Sequence, residues 1–227
     1  MNIMKDFPSR FVVAIDGPAG SGKSTLAKEL AQYLKGIYID TGAMYRSVTA
    51  LVLDEGVSPS DEKSVGQVAE SISIAFKRTT EKQHVFVNGA DFTSRIREKD
   101  INENVSIVAA QKKVRDCMVG LQRRLGKGGR VVMEGRDIGT NVFPEARFKF
   151  YLVASDEIRA ERRVKEMKES GIMASHEGVL QNIRERDRLD STRDNAPLIK
   201  AEGAIEIDTS FMSIDEALQK MIHNIVF

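Results

Sequence analysis

Cysteine is almost missing from this chain of 227 residues, which carries only Cys117. A disulfide within the chain is therefore excluded, and a reducing compartment is the simplest expectation. Histidine is also scarce: His84, His176 and His223 stand far apart and lack the spacing of metal ligands. These absences argue against a disulfide-stabilised secreted domain and against a structural zinc site.

A dominant charge and a long apolar run are missing as well. The 34 Lys and Arg residues nearly balance the 33 Asp and Glu residues, for a formal net charge of +1, so no overall field favours nucleic acid or an anionic membrane. No apolar run approaches the roughly 20 residues of a membrane helix, and residues 1–10 lack the apolar centre of a signal peptide. We therefore expect a single cytoplasmic domain with one sizeable core, monomeric, with no nucleic-acid or membrane partner.

What the chain does contain is a glycine-rich segment that fits a phosphate-binding loop. Residues 17–24 read Gly-Pro-Ala-Gly-Ser-Gly-Lys-Ser, and the fixed places of the pattern hold Gly17, Gly22, Lys23 and Ser24. Glycines let bare backbone N–H groups face phosphate oxygens, the lysine reaches the β- and γ-phosphates, and the serine hydroxyl can hold Mg²⁺. An apolar strand at 11–16 precedes the segment and a helical pattern follows it, which aims a helix N-terminus at the anion.

A second strand and helix carry the next polar cluster. Residues 36–40 predict a short strand, and Thr41 opens a helix with apolar residues at core spacing. The polar residues at this junction are Asp40, Thr41, Tyr45 and Arg46. In open α/β sheets, ligands bind where a strand ends in this way. The alternative is an ordinary helix cap followed by a surface charge.

Alternating apolar residues between positions 72 and 96 predict a small antiparallel sheet inserted in the chain. Asn88-Gly89 separates two of its strands, and this pair favours a tight hairpin turn. Helical patterns resume at about 101–110 and 114–125, where Ser106 and Arg115 lie. The pattern alone would put either residue on the surface.

Three further strands are predicted at 130–133, 148–154 and 204–208. The first ends in Glu134-Gly-Arg-Asp-Ile-Gly139, where two acids and an arginine surround glycines, and packing explains such a sequence poorly. A tight polar turn is the alternative. Together with the earlier strands these predict an α/β, P-loop three-layer fold: a five-stranded parallel core sheet, the small antiparallel β insert and a short helical lid.

Arginines are dense between the last two strands. They are Arg159, Arg162 and Arg163 on a first helical stretch, Arg184, Arg186 and Arg188 on a second, and Arg193 past its end. Interleaved acids make solvated surface pairs the ordinary explanation for most of them. A mobile lid at about 156–175 would instead use arginines to stabilise a transferring phosphoryl group, because the planar guanidinium grips phosphate oxygens in pairs.

Three classes of protein use such a phosphate loop. A small-molecule kinase needs a second anion site, arginines for the acceptor and a lid that excludes water. A GTPase needs a guanine-reading Asn-Lys-x-Asp, which is absent here, and a motor or regulatory ATPase usually has a strand ending in two acids, for which 131–135 is a weak match. The short, arginine-rich chain favours the kinase, and an ATP-dependent regulatory protein that contacts nucleic acid stays an alternative.

Four blocks of sequence resemble the bacterial cytidylate kinases of the P-loop nucleoside monophosphate kinase family. They are residues 17–25, Asp40-Thr-Gly-Ala-Met-Tyr-Arg46, Glu134-Gly-Arg-Asp-Ile-Gly-Thr140, and Arg186-Asp-Arg-Leu-Asp190 with Arg193. The resemblance covers nearly the whole chain, including the insert, which would be an acceptor-nucleotide module at about 68–97. One departure is Glu134, because the family more commonly has Asp there.

The resemblance implies a phosphotransferase of pyrimidine nucleotide metabolism that moves the γ-phosphoryl group of ATP, carried with Mg²⁺, to CMP and dCMP. UMP or AMP as the acceptor is the alternative. The implied ATP site comprises Gly17, Pro18, Ala19, Gly20, Ser21, Gly22, Lys23, Ser24 (also holding Mg²⁺) and Thr25, with Arg159, Arg162 and Arg163 in the lid. The implied CMP site comprises Asp40, Thr41, Arg46, Ser106, Arg115, Arg136, Asp137, Arg186, Asp190 and Arg193.

The resemblance also implies separate roles within these sets. Arg46, Arg136 and Arg186 would grip the acceptor phosphate, and Asp190 would hold the ribose. The cytosine and its surroundings would be read by Ser106, Arg115, Asp137 and Arg193. Catalysis would rest on Lys23, Arg136, Asp137 and Arg186, by positioning and charge neutralisation rather than through a covalent intermediate.

Overall fold

The computed structural model describes residues 7–79, 83–169, 171 and 173–227. Its strands and helices are β1 Phe11–Asp16, α1 Lys23–Tyr33, β2 Ile37–Asp40, α2 Thr41–Asp54, α3 Glu62–Ser71, β3 Ile74–Arg78, β4 Gln83–Val87, β5 Ala90–Asp91, α4 Lys99–Ala110, α5 Lys112–Gly126, β6 Arg130–Gly135, β7 Phe148–Val153, α6 Asp156–Glu169, α7 His176–Thr192, β8 Ile205–Asp208 and α8 Ile214–His223. A 3-10 helix spans Arg95–Arg97, and a π-helical turn spans Ile138–Val142. The chain divides into two compact units: the phosphate-loop unit, Met1–Ile39 with Arg123–Phe227, and the inserted unit, Asp40–Gln122.

The phosphate-loop unit is built on a five-stranded sheet in the order β2-β6-β1-β7-β8. All its strands are parallel, and in the register Val13 of β1 lies between Val132 of β6 and Phe148 of β7. Parallel neighbours need long crossover connections, which the helices supply. The predicted α/β fold with a five-stranded parallel core sheet is confirmed.

The core of this unit lies between the sheet and the helices α1 and α8. Val13 and Ile15 of β1 pack in one apolar cluster with Leu30 of α1 and Met221 of α8, and each of these side chains is fully buried. Strands covered on both faces are apolar throughout, which is why β1 and β6 read as continuous apolar runs. The carboxyl ends of β1 and β6 are the exception: each ends in polar residues, and these ends carry the site.

The inserted unit contains the predicted antiparallel sheet, with strand order β3-β4-β5. Ile74 pairs with Val87 across β3 and β4, and the connection between these strands includes residues 80–82, which lie outside the described residues. Between β4 and β5, Asn88 has φ 49° and Gly89 has φ 85°, the left-handed pair of a tight hairpin turn. The Asn-Gly hairpin is therefore confirmed.

One of the predicted boundaries differs from the structure in a way that bears on the site. The strand expected at 130–133 continues to Gly135, so Glu134 lies inside β6 rather than in the following turn. The helix that ends at Ser71 begins at Glu62, because Asp61 caps it by accepting a bond from the Ser64 amide. Within the described ranges, no helix is both long and apolar enough to cross a membrane.

Candidate active site

The phosphate loop, residues 17–24, connects β1 to α1 and has the backbone that its glycines permit. Gly17, Gly20 and Gly22 have φ values of 147°, 78° and 84°, which side-chain-bearing residues rarely adopt. At Gly17 space is lacking too, because a Cβ there would lie 2.1 Å from the carbonyl oxygen of Leu152. At the end of the loop, Ser24 is exposed in the first turn of α1, so its hydroxyl is accessible to an ion.

Lys23 lies buried beneath the loop with 5% of its surface exposed. Its ammonium donates to the carbonyl oxygen of Pro18 at 2.5 Å and contacts Ser21 Oγ at 3.4 Å. Burial is the main cause that lowers the pKa of Lys23 to about 7, the charge of Arg136 adds to it, and Glu134 opposes it. An arriving phosphate would supply the negative charge that this buried ammonium needs.

Asp16, the last residue of β1, ties the phosphate loop to the next polar segment. Its carboxylate accepts the backbone N–H of Ile138 at 2.8 Å and that of Gly139 at 2.7 Å. Burial raises the pKa of Asp16 to about 6, although these two hydrogen bonds act to lower it. Sequence reasoning did not include this residue in the site, and its only signal was an acid directly before the first loop glycine.

Glu134 is held by a tyrosine from the neighbouring strand. The Tyr38 hydroxyl donates to Glu134 Oε1 at 2.5 Å, and both residues are buried. Lys28 of α1 places its ammonium 5.6 Å from the centroid of the Tyr38 ring, within the range of a cation–π contact. The carboxylate that departs from the commoner Asp therefore has a defined position, and Tyr38 is a second residue that sequence reasoning missed.

Segment 134–140 and helix α7 bring together a cluster of arginines and acids. Arg136 donates through Nε to Asp190 Oδ2 at 2.7 Å, and Arg193 Nη2 lies 3.6 Å from Asp137 Oδ1. Burial alone would raise the pKa of Asp190, but Arg136 and Arg186 more than offset it and hold the pKa below its usual value. Arg186 also acts on the pKa of Lys23, so these cations belong to the surroundings of the phosphate loop.

The three predicted lid arginines of α6 have different positions. Arg159 is almost fully buried: it donates to the carbonyl oxygen of Ala19 at 3.1 Å and pairs with Asp187 at 2.6 Å. Arg162 donates to the carbonyl oxygen of Thr209 at 2.6 Å. Arg163 is exposed, and among the described residues it pairs with Glu166, three positions further along α6. Arg159 therefore contacts the phosphate loop itself, whereas Arg163 does not.

In the inserted unit, Asp40 is the centre of a second cluster. It caps α2 by accepting the Ala43 amide at 2.8 Å, and it accepts from Arg46 at 3.1 Å and from Arg97 at 3.2 Å. Burial would raise the pKa of Asp40, but Arg46 and Arg97 hold it lower than usual. The helix-cap reading of Asp40 is thus correct and compatible with a site. Arg97, in the 3-10 helix, was not predicted, and its side chain is 60% exposed.

The remaining predicted residues of the inserted unit lie on α2, α4 and α5. Thr41 is buried, and Ser106 of α4 is half-buried. The surface position that periodicity assigned to Arg115 is wrong: the residue is only 3% exposed, and its guanidinium lies 5.6 Å from the centroid of the Tyr45 ring. A buried guanidinium requires acceptors, and one of them is the carbonyl oxygen of Ala109, to which Arg115 Nη1 donates at 3.4 Å.

The part of the chain that the structure describes contains no group of three or more His, Cys, Asp or Glu side chains suited to hold a metal ion. The exposed hydroxyl of Ser24, at the N-terminus of α1, is an oxygen ligand of the type that Mg²⁺ accepts alongside phosphates and water.

A parallel sheet, a glycine-rich loop that leads into a helix and a buried lysine under that loop define the class of P-loop nucleotide-binding proteins. Comparison of sequences is more specific. The family model described as Cytidylate kinase matches residues 13–226, and the chain belongs to the cytidylate kinase family.

Its curated relatives include the cytidylate kinase of Bacillus subtilis, 47% identical over 210 residues, which are 92% of this chain and 94% of the relative. That of Anoxybacillus flavithermus is 49% identical over 210 residues, 92% of this chain and 93% of the relative. Among solved structures, shikimate kinase from Acinetobacter baumannii aligns with 97% of this chain and 95% of its own, at 17% identity and a TM-score of 0.46.

Proposed function

We propose that this protein transfers the γ-phosphoryl group of ATP to CMP and dCMP, giving ADP and the corresponding nucleoside diphosphates. An oxygen of the acceptor phosphate attacks the γ-phosphorus, and the bond to the β-phosphate oxygen breaks. The observation that carries the proposal is the cation cluster near the loop lysine: Arg136 donates to Asp190 at 2.7 Å, Arg186 lies on the same helix as Asp190, and both arginines lower the pKa of Lys23. A donor loop with a second anion-binding cluster in the same unit is what a kinase needs and a simple ATPase does not.

The roles of the individual residues follow from their chemistry. Residues 17–24 would hold the donor phosphates through backbone N–H groups, with Lys23 on the β- and γ-phosphates and Ser24 on Mg²⁺. The ion would neutralise charge that develops between the phosphates. Arg136 and Arg186 would hold the acceptor phosphate in line, so that most of the catalysis comes from position and charge.

The resemblance assigns further acceptor-binding residues to the inserted unit. Arg46 would bind the acceptor phosphate, and we add Arg97, because both arginines share the Asp40 carboxylate. The resemblance assigns recognition of the base to Ser106 and Arg115 in this unit, and to Asp137 and Arg193 in the phosphate-loop unit. Cytosine donates from its amino group where uracil accepts, and a buried mismatch leaves polar groups unpaired, so discrimination should be strong. The monomeric state and the cytoplasmic location stay predictions.

The experiment is ADP formation with Mg·ATP and a panel of nucleoside monophosphates, comparing wild type with Arg193→Ala. The matched control is Arg188→Ala, because Arg188 is 60% exposed and pairs with Glu185 three residues before it. We expect turnover confined to CMP and dCMP, weakened in Arg193→Ala and unchanged in the control. Turnover of UMP or AMP instead of CMP would mean that the protein is a kinase with a different acceptor. Steady ATP hydrolysis without any acceptor, or salt-sensitive RNA binding, would favour a regulatory ATPase.

A further inference from the structure

The loop that follows β8, residues 209–213, is fastened to the phosphate loop. Thr209, which is 3% exposed, donates from Oγ1 to the carbonyl oxygen of Ser21 at 3.1 Å. Arg162 of α6 donates to the Thr209 carbonyl oxygen at 2.6 Å. A residue just beyond Thr209 therefore has a defined place relative to the donor phosphates.

Hydrogen bonds also hold the backbone of loop 209–213. The Thr209 amide donates to the carbonyl oxygen of Val153 at 2.8 Å, and the Ser210 amide donates to Asp208 Oδ1, also at 2.8 Å. Ser210 Oγ in turn accepts the Ser155 amide at 3.0 Å. Hydrogen bonds therefore join this loop to the carboxyl ends of β7 and β8. They hold in place the backbone that carries the residue after Ser210.

That residue is Phe211, and 91% of its surface is exposed. The other aromatic rings of this unit that contact one another cluster at the start of β1 and β7: Phe11 lies 6.5 Å from Phe148 and 4.8 Å from Phe227, measured between ring centroids. Among the described residues, no other aromatic ring contacts Phe211. Its exposure forgoes a stabilisation of about 1.5–3 kcal/mol, which is what full burial of a Phe side chain contributes. A ring held in water on a rigid loop is suited to receive a flat ligand.

We propose that Phe211 is the stacking platform for the base of the nucleoside triphosphate whose phosphates the phosphate loop holds. Two residues span at most about 7 Å of backbone, so the ring lies near Thr209 and hence near the loop, on the scale of a nucleotide. Every base has a π-face, so stacking supplies affinity without choosing between adenine and guanine. The inference rests on the proposed function in taking a nucleoside triphosphate as donor.

The test compares binding of Mg·ATP and of magnesium tripolyphosphate, which has the phosphates but no base, by titration calorimetry. We expect Phe211→Ala to weaken Mg·ATP binding by about 5- to 160-fold, the range for loss of one base–aromatic stack, and to leave tripolyphosphate binding unchanged. Phe211→Trp should keep the ATP affinity. Ile37→Ala is the matched control, since Ile37 is 51% exposed at the start of β2. Equal urea midpoints would show that the variants fold alike.

Three results would contradict the proposal that Phe211 stacks on the base. Unchanged ATP affinity in Phe211→Ala would mean that the ring is merely an exposed side chain or serves another partner. Equal weakening of ATP and tripolyphosphate would mean that it acts through the phosphate loop. Failure of the wild type to bind Mg·ATP at all would reject the proposed donor and the platform with it, whereas a wild type that binds ATP and does not phosphorylate CMP would reject only the acceptor.

Discussion

The phosphate-loop region and the three-stranded sheet of the inserted unit place their charges in opposite ways. Around the loop, Asp16, Lys23 and Glu134 are each at most 5% exposed. On the sheet, the corresponding polar groups face solvent: Lys77 is exposed, and the hydrogen bond between His84 and Asp91 is partly solvated. Buried charges are costly unless they are paired, whereas exposed ones are nearly neutral. The region that bears this cost is the one that the proposed reaction uses.

The two regions also differ in what makes them stable. Near the loop, hydrogen bonds and ion pairs join distant segments, as in the bond that the Ile138 amide donates to Asp16. In the sheet, local turn chemistry at Asn88 and Gly89 and the alternation of buried Val85 and Val87 suffice. Substitutions of the same kind should therefore have unequal effects in the two places.

The largest contrast concerns two lysines. Lys23→Met should lower kcat for CMP phosphorylation by about 10²–10³-fold, because a preorganised charge that stabilises the transferring phosphate would be lost. Lys77→Met, on the sheet, should leave kcat unchanged. Steady-state kinetics with Mg·ATP and CMP measures both. A Lys23→Met enzyme within a few-fold of wild type would mean that the buried ammonium serves only the loop conformation.

The next effect is on stability. Arg136→Met should lower the free energy of unfolding by about 3 kcal/mol, because it leaves Asp190 buried without its closest cation. Arg186 and Arg193 still act on Asp190, which keeps the cost at the low end of the range for a broken buried pair. Urea titration at pH 7 measures it, with the exposed Arg188→Met as the control that should keep the wild-type midpoint. Equal urea midpoints for Arg136→Met and Arg188→Met would mean that the buried ion pair contributes no more to stability than the exposed one.

A pH-dependent effect should follow from Asp16. Its folded-state pKa of about 6 lies above the usual 3.8, so folding takes up a proton between these values. The stability that this carboxyl contributes is present below about pH 4 and is lost as pH rises through 6. In Asp16→Asn this loss disappears, so the variant should gain about 2–3 kcal/mol relative to wild type between pH 4 and pH 7. Urea titrations across that range measure the difference, and a pH-independent difference would refute it.

The smallest effect belongs to the sheet. Gly89→Ala should lower the free energy of unfolding by about 1 kcal/mol through backbone strain alone, since φ is 85° and the added Cβ would meet nothing within 4 Å. His84→Gln should leave the urea midpoint unchanged, because the pair with Asp91 is solvated. A larger loss for His84→Gln than for Gly89→Ala would show that charge, not turn geometry, stabilises this sheet.

Much of this protein was predictable because its strongest signals are local. The phosphate loop, the Asn-Gly hairpin and the parallel sheet follow from spacing, glycine placement and apolar runs over fewer than about 15 residues. The misassignment of Arg115 has a physical reason: periodicity places a charged residue on the solvated face and cannot detect a neighbouring ring such as that of Tyr45. The roles of Ser106, Arg115 and Arg193 toward a base stay predictions, since they came from resemblance.

The sequence by itself determined the class of fold, the place of the phosphate loop and the order of the four blocks that mark the family. Only the tertiary structure decided which groups meet. Asp16 and Ile138 are 122 positions apart, and Thr209 and Ser21 are 188 apart. Arg97 and Asp40, which also meet through a hydrogen bond, are 57 positions apart. The exposure of Phe211 likewise depends on which segments pack around it. A hydrogen bond between distant segments leaves no periodic trace in either of them, because packing of the whole sheet and its helices brings the partners together.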